Sequence, residues 1–346
     1  MPSPIVSRAI DRLLAGEDLG RAGAAEVLDL VMAGEAGEVQ TAGFLIALRA
    51  KGETAEELAG LVEVLRARAI PVTAPSGPFV DTCGTGGGIS TFNISTAAAF
   101  IAAGAGVAVA KHGNRSNTSK SGSADVLEAL GARIDLDPAA VAACLGEVGV
   151  GFMFAPSHHP AFAHVVPVRR ALGVQTVFNL LGPLANPAGA THQLIGVADP
   201  TALERVANAL AQLGTLRALV VRGRDGMDEL SATTVSDAFE VDAGQVRYLE
   251  IDPAAFGFAP SEADGLAGGD PHENAARIRE ILGGAPGPAH DVVVLNAGAA
   301  IWISGAARDL AGGIAQAVQS ILSGAAVARL DAFCAVTQRL APSPNP

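Results

Sequence analysis

Aromatic residues are scarce in this 346-residue chain, which has one Trp, one Tyr and twelve Phe. A core without large rings is filled by small and aliphatic side chains. The abundant Ala and the 41 Gly suit close helix–sheet packing and tight loops. Cysteine is also sparse: Cys83, Cys144 and Cys334 are odd in number and form no CxxC pair. That excludes a disulfide framework and a zinc cluster, and fits a reducing cytosol. Basic runs are missing and the formal net charge is −12. A non-specific nucleic-acid binder needs a dense basic surface to displace counterions, so that class is set aside. An anionic small molecule is not, because a pocket can be locally positive inside an acidic protein. Long apolar runs are missing too. The longest, Ala97 to Ala110, is broken by Gly104 and Gly106 and is too short to span a bilayer. The stretch from Met1 to Gly20 reads as an amphipathic helix without the basic start and apolar run of a signal peptide. The expectation is a cytoplasmic protein with no membrane and no nucleic-acid partner. With 49% hydrophobic and only 17% charged residues, the chain can bury a sizeable core, and its composition argues against long disordered tails.

Helical periodicity dominates residues 4–69, as in Ile10, Leu13 and Leu14, then Val27, Leu28 and Val31, then Leu58, Leu61, Val62 and Leu65. Residues 1–70 are therefore expected to form a small helical domain. The Pro-rich stretch Pro71 to Pro78 reads as a linker. Beyond it the pattern alternates. Strands are expected at 79–81, 107–110, 192–198, 217–222 and 291–297, and helices at 93–103, 123–130 and 201–213. Residues 252–276 lack a period and read mostly as loop; 283–289 and 341–346 read as a loop and a tail. Alternating strands and helices imply an α/β domain over residues 75–340 with a mostly parallel central sheet.

Five constellations carry chemistry. Gly84-Thr85-Gly86-Gly87-Gly88 follows a strand. It is either a tight strand-to-helix turn or a nest of N–H groups for an anion; it fits neither a P-loop nor GxGxxG. Asn93-Ile94-Ser95-Thr96 opens a helix, where the hydroxyls serve as caps, as ligands of a pyrophosphate or its metal, or both. Lys111-His112-Gly113-Asn114-Arg115-Ser116-Asn117-Thr118-Ser119-Lys120 packs cations and hydroxyls densely, as a solvated loop or a polyphosphate site does. Asp228-Glu229 follows a strand and is either a charged turn or a magnesium site. His158-His159 stands before Arg169-Arg170 and a proline-framed apolar segment. Adjacent histidines poorly chelate one zinc, whereas an arginine beside an apolar wall suits an aromatic carboxylate. No Gly-x-Ser-x-Gly motif is present, and nothing marks a base that would activate Cys83, which reads as structural.

In order and spacing, Gly84 to Gly87, Thr91 to Thr96, Lys111 to Arg115, Ser121 to Gly131, Phe178 to Leu184 and Gly226 to Leu230 resemble the anthranilate phosphoribosyltransferase family over residues 5–335. The resemblance implies a homodimer whose subunits combine a small helical domain, joined by helices near 165–185, with a large α/β domain. The active site lies at the hinge, and the reaction belongs to tryptophan biosynthesis. It implies that Gly84, Gly87, Gly88, Thr91, Asn93, Ile94, Ser95 and Thr96 hold the pyrophosphate end of phosphoribosyl pyrophosphate (PRPP). Lys111, His112, Gly113, Asn114, Arg115, Ser116, Asn117, Thr118 and Ser119, with Ser123, close over it. It implies Mg²⁺ on Ser95, Asp228 and Glu229, and an anthranilate path lined by Gly84, His112, Asn114, His159, Arg169 and Pro183. One departure stands out. The family loop usually reads Gly-Thr-Gly-Gly-Asp-Gly, whereas this loop is one residue shorter and lacks the aspartate.

The reaction so implied is displacement of pyrophosphate from the ribose by an aromatic amine. That amine is neutral at pH 7 and needs no base before attack. Its second proton passes to water or to His112. Three rivals are a relative of pyrimidine nucleoside phosphorylases, using phosphate as nucleophile; a non-catalytic nucleic-acid binder, which the net charge disfavours; and a plain phosphate-binding scaffold, which leaves the ordered series of motifs unexplained.

Overall fold

The computed structural model describes residues 2–74, 76–116, 120–258 and 263–341. Among them the chain forms fifteen α-helices and one seven-stranded sheet. The first four helices are α1 (Pro4–Leu14), α2 (Gly20–Met32), α3 (Gly37–Lys51) and α4 (Ala55–Arg68). Local chemistry fixes where α4 begins. Thr54 Oγ1 accepts from the Glu57 N–H at 3.1 Å, and Glu57 returns a carboxylate oxygen to the Thr54 N–H at 2.9 Å. This reciprocal cap satisfies two donors that no helix can satisfy internally. Phe44, Leu28, Leu45 and Leu58 are fully buried between these helices, each contributing about 1.5–3 kcal/mol on burial.

The α/β part runs β1 (Phe79–Gly84), α5 (Ile94–Gly104), β2 (Ala108–Gly113), α6 (Ser123–Ala129), α7 (Pro138–Val148) and β3 (Val150–Phe154). One helical turn, α8 (Ala155–His158), then leads to α9 (Val166–Leu172) and α10 (Phe178–Leu184). Next come β4 (His192–Gly196), α11 (Leu203–Gln212), β5 (Arg217–Gly223) and a hairpin of β6 (Ser236–Asp242) and β7 (Gln245–Ile251). Four helices follow: α12 (Pro271–Leu282), α13 (Pro288–Ile303), α14 (Leu310–Leu322) and α15 (Ala325–Leu340). The strand order is β3-β2-β1-β4-β5-β6-β7, parallel through β5 and antiparallel in the hairpin. Strands β4 and β5 are buried on both faces. Leu194, Leu219 and Val221 join the core beneath α5 and α13. Ile195, Ala218 and Val220 join a second core that includes α1–α4, α11 and the segment 165–185. The helical bundle therefore packs against one face of the sheet through α11 and α10.

The structure corrects the strand expected at 291–297, which lies inside α13. Residues 292–303 of α13 are all buried. A helix covered on every side shows no 3.6-residue period, and its three successive valines mimic a strand. Strand β3 and the β6–β7 hairpin were not expected. The hairpin turns through Ala243 and Gly244, both at positive φ (46° and 84°), so it lacks the Asn-Gly signature that marks such turns. Helix α12 begins within the stretch read as loop. Its start is a side-chain cap: Asp270 accepts from the N–H groups of His272 (2.8 Å) and Glu273 (2.9 Å). Among the described residues no single helix is long and apolar enough to cross a membrane; α14 and α15 reach the length only as a pair bent by 69°.

Replacing Asp270 by Ala is expected to lower stability by about 1 kcal/mol, read as a lower urea midpoint. An unchanged midpoint would show that α12 does not depend on this cap.

Candidate active site

After β1 the chain turns to one side to build β2 and β3, then returns to the other side of β1 for β4. The carboxyl edge between β1 and β4 is therefore a topological switch point, where diverging connections leave a crevice. The glycine loop occupies it. Thr85 donates its N–H to Gly196 O at 2.9 Å, and Ile89 donates to Gly226 O at 3.2 Å. The loop rests on the turn carrying Asp228 and Glu229. A Cβ on Gly196 would lie 1.6 Å from the Asp228 carbonyl oxygen. One on Gly88 would lie 2.8 Å from both Asp228 Oδ1 and Gly226 O. The shortened loop thus has no room for a side chain at Gly88, where Asp228 fills the space.

Acidic groups outnumber basic ones in this crevice. Asp81, on β1, is fully buried and accepts from the His112 N–H (3.1 Å) and from Asn186 Nδ2 (2.8 Å). Lys111, within β2, is buried and donates to the Thr82 carbonyl and to Ser95 Oγ, the latter at 3.2 Å. Glu229 accepts from the backbone and hydroxyl of Ser95. Desolvation pushes the Asp81 carboxyl up to about 6 despite the opposing pull of Lys111. Desolvation, reinforced by the neighbouring Asp228, pushes Glu229 up to about 8, with Lys111 and Ser95 opposing. Asp228 is raised by the same desolvation. Asp81 and Glu229 thus share one ammonium, with Asp228 beside them.

Hard oxygen donors of this kind suit Mg²⁺, which takes one or two carboxylates and leaves its other positions to water and phosphate. Among the described residues no group of three or more His, Cys, Asp or Glu could hold a metal unaided. The carboxylate pair is the kind of partial site that a phosphate ligand completes.

A row of rings leads away from the crevice. His112 lies 5.1 Å from His159, His159 5.4 Å from Phe162, and Phe162 5.4 Å from Phe178. The Arg169 guanidinium sits 5.3 Å over the Phe178 ring, and no carboxylate among the described residues pairs with it. Burial lowers its pKa. A cation in this state attracts an anionic ligand with a flat apolar body. His112 is neutral: burial, with His159 and other neighbours, pulls its pKa down to about 3. His159 is pulled down to about 4 by burial and the adjacent His158.

The remaining expected residues fall in several places. Thr91 bridges to Ala267, and the Asn93 amide is held by Ser121 and by Asn274 Nδ2 (3.0 Å). Ile94 is buried in the core, so only its backbone faces the loop region. Thr96 Oγ1 is buried without a partner. Asn114 O accepts from Ser123 Oγ at 3.3 Å, and Gly113 packs against the same hydroxyl. Arg115 turns toward α6, pairing with Asp125 (2.9 Å) and Glu128 (2.5 Å), while the Ser116 N–H meets Asp125. Pro183 is buried in α10. Asn117, Thr118 and Ser119 lie outside the described residues. Burial raises the Cys83 thiol, which is therefore no nucleophile. The sequence reading missed Asp81, Asn186 and Asn274. A carboxylate inside an apolar strand was the available signal for Asp81; Asn274 had none, because its helix was read as loop.

The chain matches the glycosyl transferase family helical bundle domain over residues 7–69 and the glycosyl transferase family a/b domain over residues 76–327. With an anion-binding loop beside paired carboxylates, fold and site define a glycosyl-group-transferring enzyme. Within that class, the chain belongs to the anthranilate phosphoribosyltransferase family. It is 51% identical over 339 residues to the anthranilate phosphoribosyltransferase of Rubrobacter xylanophilus, covering 97% of this chain and 99% of that one. The crystal structure of the Thermus thermophilus enzyme superposes with a TM-score of 0.90 at 43% identity, covering 95% of this chain and 99% of that one. The Saccharomyces cerevisiae enzyme in complex with PRPP and Mg gives 0.88 at 27% identity, covering 97% and 98%.

The raised carboxyl of Glu229 makes a prediction about stability. Its folded pKa exceeds the unfolded value, so its contribution is complete below about 4.3 and is lost as pH rises toward about 8. In chelator, Glu229→Gln should therefore melt higher than the wild type at pH 8, and the gap should close toward pH 5. A gap independent of pH would show that Glu229 is not the titrating group.

Proposed function

We propose that the chain transfers the phosphoribosyl group of PRPP to the amine of anthranilate, releasing pyrophosphate, in tryptophan biosynthesis. The observation that carries this reading is the excess of buried carboxylate beside a glycine loop at the sheet's switch point. Such a crevice calls for a cation and an anion together, which a magnesium pyrophosphate supplies. Magnesium held by Asp228 and Glu229, with Ser95, neutralises charge that gathers on the departing pyrophosphate. The loop N–H groups of Gly87 and Gly88 and the first turn of α5 bind the phosphates. Lys111 adds a buried ammonium and keeps Ser95 oriented through its 3.2 Å bond.

Arg169 grips the anthranilate carboxylate, with Phe178 beneath the guanidinium. His112 and His159 line the path to the ribose. The neutral arylamine attacks the anomeric carbon with its lone pair, and positioning behind that carbon supplies most of the remaining acceleration. The second amine proton leaves to water or to His112. The chain works in the cytoplasm as a homodimer. Strongly exposed Leu14 and Val39, on α1 and α3, support an apolar contact there.

Mixing protein, PRPP, magnesium and anthranilate should extinguish anthranilate fluorescence. The Asp228→Ala/Glu229→Ala pair should slow this by about 100-fold or more. Turnover that ignores both carboxylates would refute the metal assignment. Arg169→Ala should raise the KM for anthranilate by about 10- to 100-fold, the loss of one charge-assisted pair. An unchanged KM would move the acceptor elsewhere. At saturating magnesium, the pH profile should show no limb near the ordinary histidine pKa, because His112 is neutral throughout.

A further inference from the structure

The last turn of α10 ends in carbonyls that no helix can satisfy internally. Three in succession receive side chains from three different parts of the chain. Gly182 O takes His112 Nδ1 from β2 at 3.1 Å. Pro183 O takes Gln193 Nε2 from β4 at 3.0 Å. Leu184 O takes Arg66 Nε from α4 at 2.9 Å.

A carbonyl only accepts, so His112 must carry its proton on Nδ1. In a neutral ring Nε2 is then a bare acceptor. The His112 Nε2 is buried and unpartnered, on a ring 5.1 Å from that of His159. A buried acceptor without a donor is costly, and a ligand that brings N–H groups relieves the cost. An arylamine brings two.

We propose that the end of α10 is a positioning device that fixes His112 as an acceptor for an N–H group of the arylamine, and that Arg66 is the positioning residue that holds it. This rests on the reading of the function given above. Arg66 belongs to the helical bundle, and no ion pair among the described residues engages it. Its cation lies against a helix C-terminus, where positive charge is favourable. The bundle thereby reaches the acceptor site through one guanidinium. If α10 loses that tie, the Gly182 carbonyl shifts. His112 is then free to place a proton on Nε2, where it repels the incoming amine.

The test combines nitrogen-15 NMR of the histidine rings, without substrates, with kinetics of Arg66→Met and Arg66→Lys. In the wild type His112 should show the Nδ1–H tautomer. An Nε2–H tautomer there overturns the proposal without any variant. Arg66→Met should mix the tautomers and raise the KM for anthranilate by about tenfold, while the KM for PRPP moves by less than about twofold. Arg66→Lys should restore most of the loss. Unchanged tautomers and unchanged KM in folded Arg66→Met overturn the proposal, as does a loss of thermal stability with no change specific to the acceptor. Wild-type protein that fails to turn over anthranilate would refute the functional reading, and the NMR result would still decide the role of Arg66.

Discussion

Three buried or half-buried carboxyls around one ammonium set the terms for the rest of the molecule. Asp81 and Lys111 sit at the centre of the sheet, where desolvation is strongest, and Asp228 and Glu229 close the crevice from the turn after β5. Left alone, the crevice holds protons it would not hold in water. On the proposed reading, a divalent cation removes that penalty and a polyphosphate completes the coordination of the cation, so that substrate binding and charge balance are one event.

The fold exists to hold those charges against the glycine loop. Parallel strands place the ends of β1, β2 and β4 along one edge, and the reversal at β1 opens the crevice there. Contacts that tolerate no Cβ seat the loop on the Asp228 turn. On the other side, α10 joins three layers. Its residues share a core with the helical bundle, its terminal carbonyls hold His112 and Gln193 from the sheet, and its Phe178 supports Arg169. The bundle meets the α/β part through this helix and through α11.

Much of this was legible in the sequence because the chemistry is local. The glycine loop, Lys111 and the Asp228-Glu229 pair each sit at the end of an apolar strand, so composition alone set them on one edge. The α/β class followed from alternation. What was hidden depended on contacts far apart in the chain. Asp81 and Asn186 are 105 positions apart, and nothing local couples them. Asn274 is 181 positions from the Asn93 it holds. Helix α13 was misread because complete burial erases the period that identifies a helix, and the β6–β7 hairpin because its turn lacks the usual residues. The missing loop aspartate was plain in the sequence. Its physical counterpart, Asp228 filling the space over Gly88, needed the structure.

Calorimetric titration of PRPP tests the charge-balance account most directly. Run at pH 7 in buffers of different ionisation enthalpy, with and without magnesium, it reads affinity and proton movement together. The account predicts binding that needs magnesium and releases protons, because Glu229 gives up the proton it holds up to about 8 when the cation arrives. Binding of equal strength in chelator, with no proton released, would contradict it.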